Sequence, residues 1–104
     1  MNNIPEFDEL RREYLQGAVD RASHLREQVA QLRQGGPVDL KALRQEVHKL
    51  RGSAGFYGFK ALSAAAAAAE DTMILVLDGE LDRDDRQIAD LVDGVIAAID
   101  EAVN

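Results

Sequence analysis

The sequence predicts an all-α protein: an antiparallel up-and-down four-helix bundle, with room for a short extra helix at the N-terminus. Three observations carry that reading. Apolar residues recur at steps of three and four through four separate segments. Helix-ending punctuation falls at Gly35-Gly36-Pro37, at Gly58 and at Asp78-Gly79. No stretch alternates apolar and polar residues as a half-buried strand would. Four helices joined by short connections leave few arrangements other than a bundle.

The first segment places Leu10, Tyr14, Ala18, Ala22, Leu25, Val29 and Leu32 on one face. Pro5 suits an early helical position, where the missing N–H costs nothing. Gly17 is the weak point, where a short leading helix could part from a longer one. Arg11, Arg12, Glu13, Arg21, Arg26 and Glu27 form the solvated side. Asp39 is a natural N-cap for the second helix, whose stripe is Leu40, Leu43, Val47, Leu50, Ala54 and Tyr57. The third helix packs Phe59, Leu62, Ala66, Ala69, Met73, Val76 and Leu77. Its alanine run favours helix and permits close approach of a neighbour. Asp82 reads as the cap of the fourth helix, with Asp84 and Asp85 in its first turn. That helix buries Ile88, Leu91, Val95, Ala98, Ile99 and Ala102.

A chain of 104 residues is one domain, residues 1–104, and 46% apolar residues suffice for a core. The absence of cysteine excludes disulfides, thiolate metal sites and thiol nucleophiles. Met1 to Asp8 lacks the basic and apolar regions of a signal peptide, and Ala61 to Ala69 is too short to cross a bilayer. A cytoplasmic protein without a membrane anchor is expected, and Met1 with the clean helical ends favours a free-standing one. All the apolar stripes fit within one bundle, so a monomer is expected. A net charge of -7 argues against nucleic acid as a partner. Yet between Asp39 and Lys60 five basic residues face only two acidic ones, a local charge of +3 against -10 for the remainder. A basic island on an acidic protein suggests a small anionic target.

That island coincides with the one chemically distinctive stretch, Glu46 to Phe59. On a helical wheel the apolar residues of the second helix fall within roughly 60° of Leu43, whereas His48 lies near 140°. His48 is therefore expected to face solvent, on an arc with Lys41, Arg44, Gln45, Gly52 and Gly55, and with Arg51 at its edge. Each helical glycine costs about 0.5–1 kcal/mol relative to alanine. Gly52, one turn beyond His48, would leave the imidazole uncovered, Gly55 would extend the clear strip, and Gly58 would turn the chain. Cations alongside His48 would keep a ring nitrogen free as a nucleophile and stabilise a transferring phosphoryl group. His24 lacks both glycines and a basic cluster and reads as structural or surface.

The run His48-Lys49-Leu50-Arg51-Gly52-Ser53-Ala54, followed by Gly58, resembles the signature of histidine-containing phosphotransfer (HPt) domains of two-component phosphorelays. The predicted bundle, with the motif on a middle helix, resembles that family's fold. The resemblance implies that His48 accepts a phosphoryl group from a receiver-domain aspartate, or from a hybrid kinase, and passes it to another receiver. It implies that Arg51, in place of the family's usual lysine, holds the phosphoryl oxygens, that Lys49 contributes charge although its wheel position points it away from the centre of the site, and that Gly52 and Gly55 line the site. Lys41, Arg44 and Gln45 would form the docking surface. The expected partners are response-regulator receivers and a sensor or hybrid histidine kinase. No cofactor is expected on this chain, since Mg²⁺ would sit on the receiver, and no nucleotide loop is present. A phosphohistidine carrier of this kind has no kinase activity of its own.

Two other classes fit less well. A non-catalytic helical adaptor would dock receivers or kinases with the same bundle, but would not need the histidine with a cation three residues on. An enzyme using His48 as general base would need a pocket and a partner group. No histidine or carboxylate stands three or four residues beyond His48 to complete a metal site.

Overall fold

A computed structural model describes residues 5–104, together with all side chains from Glu6 onward. Four helices follow in order: α1 Pro5–Gln34, α2 Leu40–Phe56, α3 Lys60–Leu77 and α4 Asp85–Val103. No strand occurs among the described residues. The closest helix pairs are α2 with α3, α1 with α4, and α3 with α4. α1 and α2 stand further apart and meet through side chains, leaving a polar groove between them. At 1.5 Å per residue, the 30 residues of α1 span about 45 Å, matching the 46 Å long axis of the molecule.

The core runs the length of the bundle. Leu25 of α1, Val47 of α2, Leu62 and Met73 of α3, and Ile88, Val92, Val95 and Ile99 of α4 are fully buried. Each such side chain contributes roughly 1.5–3 kcal/mol of burial free energy. Several predicted stripe positions reach the surface. Leu10 and Leu77 are exposed, and Tyr14, Tyr57, Phe59, Val76, Leu91 and Ala102 are only partly buried, while Ala89, Val92 and Ile96 are buried as well. α4 packs on both α1 and α3, so its apolar arc is wider than one stripe. α1 is longer than any helix beside it and cannot be covered throughout.

Gly17 does not divide α1, which passes through it unbroken, so no separate leading helix occurs among the described residues. One glycine costs about 1 kcal/mol, too little to break a helix held along its length by packing on α4. Asp39 caps α2, its carboxylate accepting from the Ala42 amide at 3.2 Å. The cap of α4 is Asp84, not Asp82: its side chain accepts from the Arg86 and Gln87 amides at 3.0 and 3.2 Å. α2 ends as expected at Gly58, whose φ of +82° suits a residue without Cβ. There the Phe59 amide donates to the Ala54 carbonyl and the Gly58 amide to that of Gly55, a Schellman closure. The same pattern ends α1 at Gly35 and α3 at Gly79.

Candidate functional site

The glycine-containing half of α2 is braced from both sides by side-chain hydrogen bonds. Ser53 Oγ donates to the Lys49 carbonyl at 2.7 Å, so the Tyr14 hydroxyl of α1, 2.8 Å away, donates to Ser53. From α3, Ser63 Oγ donates to the Arg51 carbonyl at 2.9 Å. These bonds fix a segment that Gly52 and Gly55 would otherwise loosen.

Four residues on the outer face of this segment and the adjoining face of α3 form one charged cluster around Glu70. The His48 ring donates from Nδ1 to Glu70 Oε2 at 2.7 Å. Arg44 Nη1 donates to the same oxygen at 3.0 Å, and Arg51 Nη1 donates to Oε1 at 3.2 Å and to Asp71 Oδ1 at 3.2 Å. Glu70 is buried, with its side chain 3% exposed, whereas the His48 side chain is 63% exposed. Burial pushes the Glu70 pKa up, but the hydrogen bonds from Arg51, Arg44 and His48 outweigh it and hold the carboxyl below its ordinary value of 4.5. An ionised carboxylate only accepts, so Nδ1 carries the proton and the lone pair of the neutral ring is on Nε2. Nε2 takes part in no hydrogen bond among the described residues.

The expectation of free positive charge around His48 is therefore corrected. Glu70 and Asp71 come from outside the basic stretch and lie against Arg44 and Arg51, so its local charge falls from +3 to +1. What orients the imidazole is a buried carboxylate rather than loose cations.

The other predicted residues separate into two groups. Gly52 lies in open space: a Cβ built there meets no atom within 4 Å. Lys41 is exposed, seven residues before His48 on the same arc. Lys49 and Gln45 instead line the groove between α1 and α2, away from Glu70. Gly55 is also exposed, and a Cβ there would make only an ordinary contact, 3.4 Å, with Ser63 Oγ at the start of α3. His24 makes a separate pair in that other groove, with Nδ1 2.8 and 3.0 Å from the two Glu46 oxygens, and Arg21 3.8 Å from Glu46. This pair ties α1 to α2.

Glu70 and Asp71 are the site residues that sequence reasoning missed. The signal for Glu70 was present: with Ala66, Ala69 and Met73 it continues the three/four spacing of the buried stripe. A glutamate on an apolar stripe requires a partner, and the only question was which.

No helix of the described residues is long and apolar enough to cross a membrane. Fold and site together define an all-α bundle that displays the His48 imidazole, oriented by a buried carboxylate, on an open helix face. A family model described as "Hpt domain" matches residues 9–103. The chain belongs to the Hpt domain family, whose role is phosphotransfer in two-component phosphorelays. Comparison with curated proteins and with solved structures returned no significant match.

Proposed function

We propose that the protein carries a phosphoryl group on His48 Nε2, receiving it from the aspartyl phosphate of one receiver domain and delivering it to the aspartate of another. The observation that carries this reading is the 2.7 Å bond from His48 Nδ1 to buried Glu70, on a ring that is otherwise exposed. The Nε2 lone pair attacks phosphorus in line, the N–P bond forms, and the P–O bond to the receiver breaks. The receiver carboxylate leaves with the bonding pair. The proton on Nδ1 stays in place, so no general base is required. Positive charge that develops on the ring is met by Glu70, already fixed by Arg44 and Arg51. Reversal of the same step delivers the group onward.

Arg51 uses Nη1 for its carboxylate bonds, and a guanidinium has five N–H donors. The remaining donors are available for the phosphoryl oxygens. Arg44 sits deeper and serves mainly to hold Glu70, with its side chain 26% exposed. Gly52 gives the receiver clearance. Lys41 contributes to docking, and Gln45 and Lys49 border His48 on the side of α1. Mg²⁺ for the transfer belongs to the receiver's acidic pocket, and a sensor or hybrid kinase feeds the relay. The protein acts in the cytoplasm, as a monomer.

The test uses a panel of isolated receiver domains charged on aspartate with labelled acetyl phosphate. The label should move to this protein in acid-labile, base-stable form, and His48→Gln should abolish it. No transfer from any receiver, or equal labelling of the His48→Gln variant, would overturn the proposal.

A further inference from the structure

Phe56 is the most exposed large apolar side chain among the described residues, at 73%. It is the last residue of α2, the helix that carries His48. An aromatic base holds its ring outward. Phe56 meets Phe7 edge-on at 6.4 Å between centroids and Tyr57 at 5.0 Å and 86°. Behind them, Tyr57 packs on Tyr14, Tyr14 stacks on Phe59, and the Arg11 guanidinium lies 4.6 Å over the Phe59 ring. Arg11 Nε also donates to the Tyr57 carbonyl at 2.9 Å. An exposed aromatic on a fixed base loses little conformational freedom when a partner covers it, which is what distinguishes interface anchors from incidental surface residues.

Its position says which partner covers it. Phe56 lies eight residues beyond His48, about 12 Å along the helix and about 80° around it. Between them is Gly52, where even a Cβ would meet nothing. A partner that reacts at His48 has to centre its contact there. A standard interface covers about 800 Å² on each side, a disc of radius about 16 Å. A disc of that size centred on His48 includes Phe56 at one edge and Lys41 and Arg44 at the other.

We infer that Phe56 is an apolar anchor for the receiver domain, filling a recess beside the receiver's phosphorylated aspartate and setting which receivers dock. The inference rests on the phosphotransfer reading of His48 and adds a specificity-determining residue that the motif does not contain. Phe56 packs on Phe7 and Tyr57 and takes no part in the hydrogen bonds around Glu70, so its effect falls on binding rather than on the chemistry of the ring.

The experiment compares the native protein with Phe56→Ala and Phe56→Leu, using two phosphodonors. One is the panel of charged receiver domains; the other is phosphoramidate, which is too small to dock. With receivers, Phe56→Ala should raise KM about tenfold or more, with kcat changed less than about twofold, and Phe56→Leu should recover most of the loss. Labelling of His48 by phosphoramidate should be equal in all three proteins. An unchanged KM overturns the inference, as does equal slowing with both donors. A native dimer that Phe56→Ala converts to a monomer also overturns it, by assigning the anchor to a second copy of the chain. Failure of the native protein to take label from either donor would instead overturn the phosphotransfer reading itself.

Discussion

His48 and Glu70, from different helices and 22 residues apart, are joined by a 2.7 Å hydrogen bond between Nδ1 and Oε2. The imidazole is exposed and the carboxylate is buried, so the bond links solvent-facing chemistry to the interior of the bundle. Removing the carboxylate should affect both. Glu70→Ala leaves Arg44, Arg51 and His48 without their common acceptor, and the loss of a buried charge partner costs about 2–4 kcal/mol, moderated by the partial exposure of both arginines. Urea denaturation measures that cost. In ¹⁵N spectra of the imidazole, native His48 should show the Nδ1–H tautomer, and the variant should lose that preference.

Acid should weaken the fold through the same residue. The Glu70 pKa is held below its ordinary value of 4.5, burial opposing and the Arg51, Arg44 and His48 bonds prevailing. A carboxyl with a depressed folded-state pKa stabilises the fold fully above the unfolded value. That contribution is lost as pH falls through the folded value. Stability should therefore decline below about pH 4.5, and Glu70→Gln should show a shallower decline over that range, read from urea midpoints at successive pH values.

Gly52 should separate folding from transfer. With open space around it, Gly52→Ala should stabilise the helix by about 0.5–1 kcal/mol. Gly52→Gln should fold normally but slow transfer from charged receivers about tenfold or more, while leaving phosphoramidate labelling of His48 nearly unchanged. Circular dichroism melts and single-turnover transfer rates read the two effects.

The start of α4 offers a check independent of the site. Asp84→Ala removes a cap that satisfies two amides and should cost about 1 kcal/mol. Asp82→Ala should change stability by less than about 0.5 kcal/mol. Equal losses would mean that the two aspartates share the capping role.

Much of the bundle was legible because helix periodicity is a local signal. The stripes through Leu25, Val47, Leu62 and Ile88 and the Asp39 cap depend on residues within a few turns of one another. Asp82 and Asp84 have the same capping chemistry, so spacing alone could not choose between them. Asp84 has the extended backbone that points its carboxylate at the Arg86 and Gln87 amides. At the site, the wheel correctly turned His48 and Gly52 outward, because facing is a property of α2 alone. It could not supply Glu70, since the approach of α3 to α2 is tertiary. The same limit explains Asp71, which reaches Arg51 only because α3 lies against α2.

The central claim is that Nε2 of His48 bears the phosphoryl group while Nδ1 remains bonded to Glu70. Phosphorylating the protein with a charged receiver and recording ¹H–¹⁵N and ³¹P spectra of the imidazoles at neutral pH tests it directly. The account predicts a single phosphohistidine, at His48, with phosphorus on Nε2 and the proton retained on Nδ1. Phosphorus on Nδ1, a label on His24 instead, or no phosphohistidine at all would contradict it.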